Sequence, residues 1–440
     1  MKAGAVFLIS SRLLFGRRGS GGGGAAGRSL RSAIIGIALS LLPLVVILEL
    51  ADGMIEGIMS RYVELENYHY SAEYPSALDL EEMEAAAARL RRQGGVDSAY
   101  VERRGAGVAM KGLLRNGVEL RAIDPAMLSS DPAFRRLMRV EAGRLELPDR
   151  NSALVGSALA GKLGLEVGDS LSLLSLRGTG GGRTVPRLSN LRVTGIISSG
   201  YQEMDALWLL VPLELGYGIL GPDSSRAFIG IKAEGGASSP EGWGEPPLQS
   251  ELRRALGPGW MVEHWSSSLD STYRSLLTMK SLLLFISAMI LTVAAVNVSS
   301  AVLMMVIERR SDIAVLKGIG ASQAGITLAF TAAGAFIGLV AVAAGMALGI
   351  FLAVNVNQGI ALLDSTVNAI LSLNARLLGV SAEPFRLLDP GLYLVDIPIR
   401  LDYRELTGAA CLAVFLSAFA AWVPARRTRF IPPLELLRRA

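Results

Sequence analysis

Four stretches of the chain carry no charged residue and are long enough to cross a bilayer, which takes about 20 residues. They are Ser32–Leu48, extendable past Glu49; Ser281–Ile307; a part of Gly318–Leu363; and Leu406–Ala425. The third run exceeds one span, so its first residues belong to the preceding loop and its last, NVNQGIALL, leave the membrane. The pattern predicts transmembrane helices at 32–54, 277–307, 322–356 and 405–425, with an extracytoplasmic loop at 357–404. Between the first two, residues 55–276 switch to the mixed patterning of a soluble α+β domain. There Asp79–Gln93 reads as a helix, with Asp79 as N-cap and Gly94 and Gly95 as its stop. Short β-like runs follow, among them SAYVE, GVAM, GVELRAI, SLSLLSL, LRVTGIIS, ALWLLVPL and FIGIKA.

Composition agrees with insertion, since 51% of the 440 residues are hydrophobic and mean hydropathy is +0.42. Net charge is only +4, and its placement says more than its size. Lys2, Arg12, Arg17, Arg18, Arg28 and Arg31 precede the first run without an acid; Arg426, Arg427, Arg429, Arg438 and Arg439 follow the last against Glu435. Basic residues beside spans stay inside, so both termini and the 308–321 loop are expected to be cytoplasmic and 55–276 external. Residues 1–31 combine an apolar, Arg-containing helix suited to a membrane surface with the linker GSGGGGAAG; residues 426–440 form a cytoplasmic tail. Arginines set against spans favour membrane lipid over nucleic acid as their partner.

Catalytic chemistry is scarce. Cys411 is the single cysteine and falls inside the last run, and His69 and His264 lie far apart, so neither a disulfide nor a zinc site is expected. Gly156–Lys162, GSALAGK, has Walker A spacing, but Leu163 stands where Ser or Thr would ligate magnesium; a short helix closed by turns at Gly164 and Gly168 fits better. Glu49 and Asp52 fall near the outer end of the first run, where an interfacial position is expected. In the third run Gly334, Gly338, Gly345 and Gly349 share one helical stripe, a surface for close helix packing within the chain or with a second copy.

The stretch that organises the rest is Met304–Ser322. Ile313, Leu316 and Ile319 or Gly320 recur at three-residue spacing while Glu308, Arg309 and Asp312 fall mainly elsewhere, which predicts a small amphipathic helix ended by Gly318 and Gly320. Glu308 and Asp312 flank Arg309 at ion-pairing distance along a helix. ERRSDIAVLKGIGAS resembles the coupling loop of the FtsX/MacB superfamily of ABC-transporter permeases, in particular the lipoprotein-releasing LolC/LolE type. The tail WVPARRTRFIPPLELLRRA and the segments GVELRAIDP and LRVTGIISSGYQEMDALWLLVPLELG resemble the same family.

The resemblance implies a four-helix membrane fold with a large MacB-like extracytoplasmic α+β domain inserted between helices one and two. It implies a permease subunit in the bacterial inner membrane that extracts lipoproteins and passes them to a periplasmic carrier chaperone. The chain would have no cofactor of its own, ATP and Mg being bound by a partner ABC ATPase, and it would pair with a second permease copy or a paralogue. Glu308, Arg309, Arg310, Asp312, Leu316, Lys317, Gly318 and Gly320 become the candidate coupling residues. Arg177, Arg183, Pro186 and Arg187, on the glycine-rich hairpin between SLSLLSL and LRVTGIIS, become the candidate carrier contact. Two other functions would share the loop and tail: a MacB-like exporter of peptides or amphiphiles, and an FtsX-like transmembrane signalling subunit.

Overall fold

The computed structural model describes residues 25–178, 184–234, 247–378 and 402–426. It divides into two compact units, one of helices and one built on a sheet. Among the described residues four helices are long and apolar enough to cross a membrane. They are Ala25–Arg61, Asp270–Glu308, Gln323–Val354 and Tyr403–Ala425. Each contains one of the uncharged runs. The first two extend well beyond theirs, because a helix needs no apolar residues where it leaves hydrocarbon.

Within the helical unit the buried face is one cluster. Ile37 and Leu41 of the first helix, Val298 and Val302 of the second, Phe330 and Ile337 of the third, and Ala413 and Ala421 of the fourth meet there. The glycine stripe serves this packing and is shared between two neighbours. A Cβ on Gly334 would stand 2.1 Å from the Ala421 Cβ and one on Gly338 2.5 Å from the Ser417 Cβ, so these two admit the fourth helix. A Cβ on Gly345 would stand 2.8 Å from the Ala38 carbonyl oxygen and one on Gly349 2.8 Å from the Val45 Cβ, so these two admit the first. All four glycines thus have close neighbours within the chain.

Two connections differ in form from a simple loop. A short helix, Arg310–Gly318, follows the second long helix, and Ser322 caps the third by accepting a hydrogen bond from the Gly325 N–H. After the third, Val356–Leu378 is helical where the apolar count suggests only an extracytoplasmic loop. Its alternation of apolar and polar residues has helical period, a signal hidden by reading the segment as the end of an over-long span.

In the other unit ten strands among the described residues form one sheet: β1 Tyr70–Glu73, β2 Val96–Lys111, β3 Leu114–Ile123, β4 Arg139–Gly143, β5 Ser152–Gly156, β6 Ser170–Gly178, β7 Thr184–Ser198, β8 Trp208–Pro212, β9 Ser225–Ala233 and β10 Met261–His264. The order is β10-β1-β9-β2-β3-β8-β5-β7-β4, with β6 joining β2 to β7. SAYVE and GVAM, two runs in the sequence, are one 16-residue strand, in which Gly105 and Gly107 leave room for Leu220 and Leu173. Helix Leu80–Leu90 begins in a full capping box between Asp79 and Glu82. Ser157–Leu163 is a short helix that follows β5 directly and ends at Gly164 with φ +59°.

Charge is buried in the sheet as well as apolar surface. Glu102 on β2 and Arg121 on β3 are both fully buried and pair at 2.6 Å and 3.1 Å. The Arg104 Nε donates to the same carboxylate at 2.7 Å, the Tyr68 hydroxyl donates at 2.7 Å, and the Arg121 guanidinium lies 4.5 Å over the Trp208 ring.

Candidate functional site

The short helix Arg310–Gly318 carries the residues singled out for coupling. Its inner face is anchored: Ile313 and Ala314 are buried, and Leu316 packs against the helical core. Its outer face carries apolar surface, with Val315 50% exposed and Ile319 76% exposed; Arg310, at the start of the helix, is exposed as well. Arg309 Nη1 pairs with Asp312 Oδ2 at 3.2 Å, one of the two ion pairs the spacing allows. Gly320 ends the segment at φ +90°, a conformation that favours glycine. Period-three spacing therefore locates the helix but divides its faces wrongly, because it groups Ile319 with the two residues that the core takes. Val315 is not among the residues that spacing marks; a single valine in a charged stretch has no sequence signal until the buried face is known.

On the sheet unit β6 and β7 form the expected hairpin, with its tip at 179–183 outside the described residues, Arg183 included. Arg177 and Arg187 do not point away from the protein. Both donate to the Gly218 carbonyl, at 3.2 Å and 2.7 Å, at the end of helix Leu213–Ile219, where cations are favoured. They brace the arm, and the outward face belongs to other residues. The antiparallel register sets Leu174 opposite Leu188 and Leu176 opposite Pro186, all on the face away from buried Leu171, Leu173 and Ser175. Leu176 is 49% exposed and Leu188 60% exposed.

A third constellation has no counterpart in the sequence motifs. Lys280 on the second long helix donates to Asp52 Oδ1 of the first at 2.6 Å, and to Glu405 Oε1 and Oε2 of the fourth at 2.8 Å and 3.1 Å. One ammonium thus ties three helices that are far apart in the chain, a separation no local pattern reveals. Glu49, one turn along the first helix from Asp52, is 2% exposed, with one carboxylate oxygen lacking a partner among the described residues. The sequence places both acids near the membrane interface and gives no sign that Glu49 is also buried within the protein.

The two histidines, distant in the sequence, come close together where Tyr70 pairs with His264, and each has its own partner: the His69 Nδ1 accepts from the Ala233 N–H at 2.9 Å, and the His264 Nδ1 lies 2.7 Å from Ser266 Oγ. Among the described residues no group of three or more His, Cys, Asp or Glu is arranged to hold a metal ion.

Among the described residues, four apolar helices, a short charged helix between two of them and a separate mixed sheet define a multi-pass membrane protein with a sheet domain. Residues 32–241 match the MacB-like periplasmic core domain, and residues 284–433 match the FtsX-like permease C-terminal region. The chain thus combines a MacB-like periplasmic core region with an FtsX-like permease region, and among its described residues four helices are long and apolar enough to cross a membrane. It is 28% identical to the lipoprotein-releasing system transmembrane protein LolC of Neisseria meningitidis serogroup B over 92% of this chain and 93% of that one. It is 25% identical to LolC of Xylella fastidiosa over 92% and 93%, and 24% identical to LolE of Haemophilus influenzae over 68% and 67%.

Proposed function

We propose that the chain is the permease subunit of an ABC transporter that releases lipoproteins from the inner membrane to a periplasmic carrier, driven by a separate ATPase that binds ATP and Mg. The sheet unit, placed in sequence between the first and second spans, would face the periplasm, and both termini the cytoplasm. The observation that carries the reading is the helix Arg310–Gly318. Ile313 fixes it to the membrane helices, while Val315 and Ile319 offer apolar contacts that a partner can cover. A push on its outer face is thereby delivered to the helical core. The work to be done is the withdrawal of acyl chains, each methylene costing about 0.8 kcal/mol in water. The similarity to LolC along nearly the whole chain favours lipoprotein release over a MacB-like exporter or an FtsX-like signalling subunit.

Val315→Asp and Ile319→Asp are expected to leave the purified permease folded yet to reduce lipoprotein release in proteoliposomes at least tenfold, because each places a carboxylate where the ATPase must dock. Leu316→Asp is expected to lower the yield of folded protein instead, since that side chain packs inward. Unimpaired release by both outer-face variants refutes the coupling role.

The carrier is assigned to the outer face of the β6–β7 ribbon. Leu176→Ser combined with Leu188→Ser should reduce carrier pull-down severalfold, whereas Arg177→Ala with Arg187→Ala should loosen the arm without removing the contact face. Equal binding by wild type and the leucine pair would exclude this face.

A further inference from the structure

The helix Val356–Leu378 has no part in the coupling helix, the ribbon or the lysine cluster. At about 100° per residue, Val356, Ile360, Leu363, Val367, Ile370 and Leu371 fall within an arc about 100° wide. Asn357, Gln358, Asp364, Ser365, Asn368 and Ser372 occupy another arc centred about 130° away. Asp364 is the only charged residue from Val356 to Ser372. Leu363 and Ile370, at one edge of the apolar arc, are 52% and 61% exposed, and Val356, Ile360, Val367 and Leu371 are half-buried.

The position of this helix in the chain says what covers that arc. The third span, Gln323–Val354, has 32 residues and is about 48 Å long, more than the roughly 40–45 Å of a bilayer with its headgroups. Its last turn is therefore at headgroup level. There Asn355 interrupts the helix for one residue, its side-chain amide donating to the Phe351 carbonyl at 2.8 Å, and Val356 starts the next helix at once. Phe351 and Val354, 64% and 51% exposed, carry lipid-facing surface up to that break. A helix that begins at the interface and sets an apolar arc against a polar one matches an element lying in a membrane surface.

We propose that Val356–Leu378 is an interfacial helix whose apolar arc is buried in the bilayer leaflet at which the third span ends, with acyl chains as its partner. It fixes the depth of that end of the third span, so that the span can tilt or turn but not slide across the membrane.

The test uses the full chain with Cys411→Ser in phosphatidylcholine nanodiscs. Single substitutions Ile360→Cys, Leu363→Cys and Ile370→Cys on the apolar arc, and Gln358→Cys, Ser365→Cys and Ser372→Cys on the polar arc, carry an environment-sensitive fluorophore. Labels on the apolar arc should be quenched severalfold more by spin-labelled acyl chains than by a water-soluble nickel chelate, with the order reversed on the polar arc. In the unsubstituted chain, lipids with a photoactivatable acyl chain should form adducts at Ile360, Leu363 and Ile370. Uniform quenching by the nickel chelate, or adducts on Gln323–Val354 with none beyond Asn355, would overturn the proposal. Efficient disulfide formation between two copies through Leu363→Cys or Ile370→Cys, without lipid quenching, would overturn it too and assign the arc to a second permease.

Discussion

Gly334→Ala is expected to lower the thermal stability of the purified permease markedly, and Gly334→Leu to prevent its accumulation as a folded protein. The alanine methyl would stand 2.1 Å from the Ala421 Cβ, far inside van der Waals contact, and both groups sit directly on helix backbones. Neither can rotate away, so the third and fourth helices must separate along their contact. Overpacking by a methyl or two costs about 1–3 kcal/mol in a well-packed core, and leucine adds three further carbons. Removing the opposing methyl should restore what adding one destroyed, so Gly334→Ala with Ala421→Gly is expected to regain most of the lost stability. Gly408→Ala, on the fourth helix with nothing within 4 Å of the added methyl, is the control and should be neutral. Scanning fluorimetry in detergent measures all four; equal melting of Gly334→Ala and wild type would show that the contact does not hold the helices.

The same stripe shows how far the sequence can be read. Its spacing announces that some helix approaches closely, because small residues every three or four positions have no other common purpose in a membrane helix. The partner is not legible: Ala421 and Val45 are ordinary members of their own apolar runs, and nothing in their neighbourhoods names the third span. The coupling helix divides in the same way. Charge between two spans locates it, whereas its docking face depends on which apolar residues the core has already claimed. On the ribbon, arginine beside glycine suggests an exposed tip, yet two of the arginines reach back to Gly218 across more than thirty residues of chain. Local period and composition report elements, and long-range pairing decides what each side chain does. Lys280 is the clearest instance, since its partners Asp52 and Glu405 are each unremarkable at the end of an apolar run.

Glu102→Gln is expected to destabilise the sheet unit by about 3–5 kcal/mol, the range for removing one member of a buried ion pair. The substituted amide could still accept from Tyr68, but Arg121, fully buried, and Arg104 would lose their shared anion. Burial alone would push the Glu102 carboxyl up; the Arg104 and Arg121 guanidiniums overcome that and hold it at about 2. A folded-state value below the unfolded one means that the carboxylate stabilises the fold fully above about pH 4.5. That contribution is lost as the pH falls toward 2. Wild type should accordingly lose melting temperature through this window more steeply than Glu102→Gln, which has no proton to take up there, and the two curves should converge at the acid end. Melting followed from pH 7 to pH 2.5 separates this from a simple packing defect, which would lower the variant by the same amount at every pH.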